Sequence, residues 1–292
     1  MLSHAERGSK LVVYAAVSAC LILWASAFVV IRVAVREYSP EHLALLRFLV
    51  ASAVLLIAAP FCKVRLPKAR DVPAFFGMGI VGMAFYSVAV NAGETTVTAG
   101  GASLIIASET VFVALLAGAF LKERIPRLAW FGFAVSLVGV ALISLSSVAD
   151  LKFSSGSLLL LAASVAAAAL TVWQKAFLDR YSAVEVSAYC VWAGTLCLLF
   201  AAPGLAESVA TAPPLSTWLA VYLGVGPAAL AYTAWTYALK HTDAAVLSAS
   251  LYLTSPMTVM IAWFALGELP SALALLGGGV VLLGVWLAQH RK

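Results

Sequence analysis

The feature that most constrains this chain is a series of apolar runs, each long enough to cross a lipid bilayer. Runs of about 17 to 24 residues recur along the sequence, separated by short connections that contain Pro, Gly or charged residues. A globular domain cannot bury this much apolar surface, since 63% of the 292 residues are hydrophobic and only 11% are charged. The sequence predicts an all-α integral membrane protein with ten transmembrane helices near 11–33, 42–61, 73–92, 98–121, 128–146, 157–178, 186–202, 216–238, 245–266 and 272–288.

The distribution of Lys and Arg predicts the orientation of these spans, because the cytoplasmic loops of membrane proteins are enriched in both residues. With the N-terminus inside, 14 basic residues fall in cytoplasmic segments and 3 in outer segments, while Arg47 lies within the second span. We therefore expect a multi-pass protein of the bacterial inner membrane with both termini in the cytoplasm. The first apolar run continues well past a weak signal-peptidase pattern, Ala25-Ser26-Ala27, so it is interpreted as a retained membrane helix.

The second half of the chain repeats the first at an offset of about 145 residues. We expect two five-helix units, residues 1–148 and 149–292. Because five is an odd number, the second unit must be inverted relative to the first. Inverted repeats are a recurrent device of secondary transporters, in which two related halves alternate between inward-open and outward-open states. The matches that carry the repeat are Tyr38-Ser39 with Tyr181-Ser182, Glu123 with Glu268, and the pair Gly132/Gly139 with the pair Gly277/Gly284.

One acidic residue, Glu109, is expected deep within a predicted span, near the middle of the fourth. An ionisable group at membrane depth is a candidate functional residue. Three roles remain open: Glu109 exchanges a proton, it binds the ammonium group of a zwitterionic substrate, or it forms a permanent ion pair with Arg47. In the ninth span, Pro256 removes a backbone hydrogen bond and predicts a kink that serves as a hinge or as a static bend.

Polar side chains near the middle of other spans are candidates for the lining of a substrate cavity. Aromatic rings with a polar edge suit amphipathic solutes of modest size. Glu123 and Glu268, at helix ends, are expected to cap or pair with nearby loop groups. The candidate substrate-binding residues are Trp24, Tyr86, Glu109, Tyr232, Tyr252 and Ser255.

Other classes of protein are not favoured by these patterns. The four histidines lie in loops or tails, and there is no HExxH, GxSxG or Walker A motif, so neither an enzyme nor a cofactor or metal site is predicted. The net charge of +5 is scattered rather than clustered, which argues against nucleic-acid binding. A passive channel would favour rings of like groups around a pore. The expected partners are a small-molecule solute, protons and the lipid bilayer, and a ten-helix carrier can work as a monomer.

Each half resembles an EamA-type unit of the drug/metabolite transporter superfamily. In the second half the resemblance lies in the segment 238–245, in Pro256, in Leu266-Gly267-Glu268 and in Leu283-Gly284-Val285. In the first half it lies in the segment 24–28, in Arg47-Phe48, in the segment 121–124 and in Gly139. Glu109 departs from the pattern, because it stands where the family usually has proline.

This resemblance implies a basket-like carrier with a central cavity lined mainly by helices 1, 3, 4, 6, 8 and 9. Helices 5 and 10 would be peripheral, which suits their paired glycines as helix-packing contacts. The sequence is similar to those of bacterial exporters of aromatic amino acids and other metabolites. The expected function is therefore the export of amino acids or similar metabolites by alternating access. The alternative is proton-coupled efflux of cationic drugs, for which a single membrane-buried glutamate is typical.

Overall fold

The computed structural model describes residues 4–145, 155–266 and 272–289, and within these ranges the regular secondary structure is helical. Among the described residues, eight helices are long and apolar enough to cross a membrane, by length and composition. The described apolar parts of two further helices, α5 and α10, are shorter, so the expected count of ten spans rests on eight helices of spanning length and two shorter ones. The longer helices are α1 (His4–Ala34), α2 (Pro40–Ala58), α3 (Ala69–Thr96), α4 (Ala99–Leu121), α5 (Arg127–Leu145), α6 (Ser155–Lys175), α7 (Ala183–Ala201), α8 (Pro214–His241), α9 (Ala244–Ala265) and α10 (Ala272–Gln289). A short exposed helix, Leu205–Thr211, lies between α7 and α8.

Large apolar side chains cover much of the outer surface of the bundle. Phe120, Phe264 and Trp286 are each more than half exposed. Exposure of so much apolar surface to water is unfavourable, whereas the acyl chains of a bilayer solvate it. The interior is instead rich in alanine and leucine, whose small or flexible side chains let the helices pack closely.

The paired glycines of α5 and α10 bring these two helices into close contact, as the sequence predicts. A Cβ atom on Gly139 would lie 2.6 Å from the carbonyl oxygen of Gly277, and one on Gly132 would lie 2.6 Å from that of Gly284. Any side chain at these positions would force the backbones apart. The prediction that these glycines serve helix packing is confirmed.

Corresponding residues of the two halves also meet at the crossing of α2 and α7. The hydroxyl groups of Ser52 and Thr195, related by the offset of the repeat, lie 2.7 Å apart and are buried. The third helix of each half contains a π-helical segment at the same place, Gly79–Phe85 in α3 and Gly224–Ala231 in α8. A π segment inserts extra residues into a turn and is frequent at functional sites.

A network of ion pairs joins the two halves at one end of the bundle. Asp71, before the apolar part of α3, accepts hydrogen bonds from Arg180 at 3.1 Å and from the hydroxyl of Tyr181 at 2.7 Å. Glu185 in the first turn of α7 pairs with Arg65 at 3.0 Å. The hydrogen bond to Glu185 raises the pKa of the exposed Arg65 guanidinium above its ordinary value. These contacts stabilise the packing of α3 against α7.

Glu123 caps a helix of the other half, which confirms its expected role. It follows α4, and its carboxylate accepts hydrogen bonds from the backbone N–H groups of Ala244 at 2.8 Å and Ala245 at 3.1 Å. These are the first residues of α9, where backbone N–H groups lack partners within the helix. Its repeat counterpart, Glu268, lies outside the described residues.

Candidate functional site

A cavity of about 570 Å³ lies between six helices, α1, α3, α4, α6, α8 and α9. These are the same six helices that the resemblance to the transporter family implies. The walls of the cavity combine aromatic and small apolar side chains with a few polar groups. They are formed by Trp24, Phe28, Gly82, Tyr86, Ile106, Ala107, Glu109, Ala167, Leu170, Thr171, Gln174, Tyr232, Trp235, Leu251 and Thr254.

In addition to the π segments of α3 and α8, two more of the helices that line the cavity are irregular at its level. In α4 the first segment ends at Ala107, and a second segment begins at Glu109 after Ser108, whose hydroxyl donates to the carbonyl oxygen of Ile105 at 2.6 Å. In α9 a 3₁₀ segment, Ala249–Leu253, precedes the α-helix that contains Pro256. Because proline has no N–H to donate, the turn before it cannot keep its regular α-helical bonding. Irregular backbone at membrane depth is tolerated where it is buried in protein or borders a cavity.

Glu109 is buried in the wall of the cavity, at 8% exposure. The side chain of Thr171, on α6, lines the same cavity. Among the ion pairs of the described residues, none joins Glu109 to Arg47. The structure therefore does not contain the permanent ion pair that was one of the three roles considered for Glu109.

Arg47 borders a second cavity, of about 320 Å³. It is buried, at 4% exposure, with its guanidinium 5.5 Å from the ring centre of Phe48, and its Nε has no hydrogen-bond partner in the described chain. The second cavity shares four aromatic residues with the first: Trp24, Phe28, Tyr86 and Tyr232. A wall of aromatic side chains therefore connects the environment of Arg47 to that of Glu109.

The aromatic wall is held in place by ring contacts and by one hydrogen bond to the backbone. The ring of Trp24 lies 5.5 Å from that of Tyr232 and 5.3 Å from that of Trp235, measured between centroids. Its indole Nε1 donates to the carbonyl oxygen of Pro227, 3.2 Å away, within the π segment of α8. The irregular turn thus provides an acceptor that fixes the orientation of the indole.

Two sequence-predicted residues do not contribute to either cavity. Tyr252 is fully buried, and Ser255 is bonded to the backbone of α4, where its hydroxyl donates to the carbonyl oxygen of Ser103 at 3.3 Å. From the same helix, Leu251 and Thr254 line the first cavity instead.

Thr171, on α6, lines the cavity but was not among the residues predicted from the sequence. This residue precedes Gln174 by three positions, and both side chains line the first cavity. Residues three apart lie on the same face of a helix. A polar Gln within an apolar span marks the face that points inward. The spacing of three residues could therefore have predicted that Thr171 lies on the same inward face.

Glu94 is a further buried acid, two residues before the end of the third span. The third span was expected to end at residue 92, but α3 continues to Thr96 and encloses Glu94, which has no exposed surface. Arg32 donates to the backbone carbonyl oxygens of Glu94 and Thr95 and so satisfies this end of the helix. Both carboxyl oxygens of Glu94 lack a hydrogen-bond partner within the described residues.

The chain belongs to the EamA-like transporter family, whose model matches it twice, over residues 10–145 and 154–289. It is therefore a multi-pass membrane transporter and not an enzyme. Within the described residues, no group of three His, Cys, Asp or Glu side chains could hold a metal ion.

Two relatives extend this likeness over nearly the whole chain. The "Probable terminal-alkyne amino-acid exporter" of Streptantibioticus cattleyicolor is 41% identical over 271 residues, which cover 93% of this chain and 91% of that protein. The "Uncharacterized transporter YdfC" of Bacillus subtilis is 39% identical over 264 residues, covering 90% of this chain and 86% of that protein. A solved crystal structure that is 20% identical superposes with a TM-score of 0.74 and covers 96% of this chain and 95% of that chain, which shows a shared fold.

Proposed function

We propose that this protein is a bacterial inner-membrane carrier that exports amino acids or similar zwitterionic metabolites by alternating access. The observation that carries the proposal is the arrangement of two buried groups of opposite charge, Glu109 and Arg47, in adjoining cavities with a common aromatic wall. A zwitterion has an ammonium group that can bind Glu109 and a carboxylate that can bind Arg47. The name of the Streptantibioticus relative, an amino-acid exporter, supports the same class of substrate.

Each part of the substrate has a matching part of the site in this proposal. The ammonium group binds beside Glu109, in the part of the wall that also contains Thr171. The carboxylate binds Arg47, whose Nε is free to donate. Trp24 and Tyr232 pack against the apolar part of the solute, and an amphipathic ring can face both an apolar group and a cation. The requirement for both charges would exclude simple hydrocarbons and sugars.

The proposed transport cycle uses two inverted five-helix units, residues 1–148 and 149–292, with ten helices across the membrane and both termini in the cytoplasm. Inverted halves allow two conformations of similar energy, one open to each side. The contact of Ser52 with Thr195 and the matching π segments of α3 and α8 support a pseudo-symmetric arrangement. Helical spans favour the inner membrane, since proteins of the outer membrane are β-barrels. Pro256 is proposed as a hinge, because the helix changes to a 3₁₀ segment just before it.

Counterflow in proteoliposomes tests the proposal. Purified protein is reconstituted, and exchange is followed for labelled threonine, methionine, phenylalanine, a cationic dye and a sugar, with and without a pH gradient. Saturable exchange of an amino acid that is lost in Glu109→Gln and retained in Glu207→Gln, a control on an exposed helix, is the expected result. Exchange of amino acids by Glu109→Gln at the wild-type rate would show that this carboxyl does not bind the substrate.

Proton-coupled efflux of cationic drugs is the second candidate. The absence of any cation paired with Glu109 among the described residues favours it, because a lone buried carboxyl can accept either a proton or an organic cation. Movement of the dye alone, and only under a pH gradient, would support this function over amino-acid export.

A further inference from the structure

One face of α3 carries three polar side chains that the packing leaves unsatisfied. Ser87, Asn91 and Glu94 follow each other at helical spacing, and each is buried with at least one polar atom that has no partner in the described chain. The amide of Asn91 donates to the carbonyl oxygen of Pro40 at 2.9 Å, so this face packs against α2. Arg47 lies two turns further along α2, on the same face as Pro40. Unpaired polar atoms inside a protein are costly and require an explanation.

The other half of the chain shows what packing alone requires at the position of Glu94. Arg32 donates to the carbonyl oxygens of Glu94 and Thr95 at the end of α3. Lys175 does the same at the end of α8, where its Nζ donates to the carbonyl oxygens of Leu239 at 2.6 Å and Thr242 at 2.7 Å. The π segments of the two helices begin at Gly79 and Gly224, and their extended C-caps are Val97 and Thr242, so both ends are related by an offset of 145. This offset places Leu239 at the position of Glu94, and both residues are fully buried. Since leucine satisfies the fold at this place, the carboxyl group of Glu94 is not there for stability.

The groups that act electrostatically on Glu94 come from two neighbouring helices. They are the guanidinium groups of Arg32 on α1 and Arg47 on α2. Helices α4 and α6 also pack here, but the titratable residue of α4 is Glu109, in the first cavity, and that of α6 is Lys175, at its opposite end. Arg32 is already bonded to backbone carbonyls, which leaves Arg47 as the cation free to respond to the charge of Glu94.

We propose that Glu94 is a proton-binding site, separate from Glu109, that controls the affinity of Arg47 for a carboxylate. The inference rests on the proposed function only in naming the substrate carboxylate as the ligand of Arg47. When Glu94 is ionised, its carboxylate competes with the substrate for Arg47, because a buried charge without a partner is costly. When Glu94 is protonated, Arg47 is available to the substrate. Binding of a carboxylate therefore takes up a proton, and affinity falls as the pH rises.

A titration without substrate tests the proton site directly. The purified full-length protein in lipid nanodiscs is titrated while infrared absorption of protonated carboxylic acids is recorded. We expect a titrating band that is lost in both Glu94→Gln and Glu94→Leu and kept in Glu207→Gln. Glu94→Leu introduces the residue of the other half, and it should fold for the same reason that Leu239 does. An unchanged set of bands in both Glu94 variants would overturn the proposal.

The link to the substrate is tested with phenylalanine and phenethylamine, which differ only in the carboxylate. The ratio of their affinities is measured across pH, because the ratio cancels effects of Glu109 that both ligands share. In wild type, the ratio of the affinity for phenylalanine to that for phenethylamine should fall as the pH rises. The expected decrease is between about 5-fold and 150-fold, the usual range of coupling between two sites. In Glu94→Leu the ratio should be independent of pH and equal to the low-pH value of wild type.

A pH dependence of this ratio that persists in Glu94→Leu would overturn the link between Glu94 and Arg47. If neither ligand nor any other amino acid binds, the amino-acid assignment is wrong, and the infrared titration still decides whether Glu94 binds a proton. The two experiments thus separate the failure of the proton site from the failure of the proposed function.

Discussion

Replacement of Arg47 by methionine tests the two-point recognition of a zwitterion most directly. Methionine fills much of the same space without the charge, so the variant should fold, and loss of a buried unpaired cation does not penalise stability. Arg47 is buried at 4% exposure, so water cannot easily replace the lost guanidinium. Removing one partner of a buried, hydrogen-bonded charge pair costs about 2 to 5 kcal/mol. The affinity for an amino acid should therefore fall by roughly 30-fold to 4,000-fold, at 1.4 kcal/mol for each factor of ten.

The assay is competition with counterflow by three related compounds. Phenylalanine has both charges, phenethylamine lacks the carboxylate, and 3-phenylpropionate lacks the ammonium group. Arg47→Met should lower the affinity for phenylalanine and for 3-phenylpropionate. The affinity for phenethylamine should stay within about threefold of wild type, a change below 1 kcal/mol. Glu109→Gln should instead lower the affinity for phenylalanine and for phenethylamine. Arg36→Met, at an exposed position, serves as the control.

The pattern across the three compounds, rather than the size of any one loss, decides the outcome. A loss that is equal for phenylalanine and phenethylamine in Arg47→Met would mean that Arg47 supports the structure and does not bind the carboxylate. The reasoning would then be refuted even if transport were abolished.

Two further variants test packing contacts by thermal unfolding in nanodiscs. Glu123→Ala removes the acceptor of two backbone hydrogen bonds at the start of α9, one of them from Ala244, and should destabilise the protein by about 1 to 2 kcal/mol. Unchanged unfolding would show that this cap contributes nothing. Gly139→Ala places a Cβ 2.6 Å from the carbonyl oxygen of Gly277 and should cost about 1 to 3 kcal/mol through overpacking. Gly279→Ala, where a Cβ meets nothing within 4 Å, is the matched control and should be neutral or stabilising.

The sequence could predict the spans and the close packing of α5 against α10, but not the burial of Glu94. A hydropathy pattern ends a span at the first charged residue, so it ended the third span at residue 92. The helix continues because Gly93 packs closely on α6, where its Cβ would lie 3.1 Å from the carbonyl oxygen of Gly156. Arg32 then satisfies the last carbonyl groups. Both contacts come from distant parts of the chain, and no local pattern carries them.

Four of the predicted lining residues lie in the wall of the cavity, whereas the two on α9, Tyr252 and Ser255, do not. Ser248, Tyr252 and Ser255 form one face only if the helix keeps 3.6 residues per turn. The segment Ala249–Leu253 is a 3₁₀ helix, with three residues per turn. Each residue of that segment is rotated further than in an α-helix, so the cavity is lined by Leu251 and Thr254 instead. Proline in a sequence predicts a kink but not the change in rotation that precedes it.

The residues proposed for recognition lie where the two halves of the chain differ, whereas the packing residues correspond. Ser52 meets its counterpart Thr195, and the glycines of α5 meet those of α10. A pair of matched halves accounts for two conformations of similar energy, but symmetry alone provides no charged group for a substrate. In the proposed mechanism, one half has a charged residue at positions where the other half has an apolar one. Because the apolar residue is sufficient for folding in that half, the charged residue is available for recognition of the substrate. The differing pairs, at the offsets of the repeat, are Glu94 and Leu239, Arg47 and Cys190, and Glu109 and Pro256.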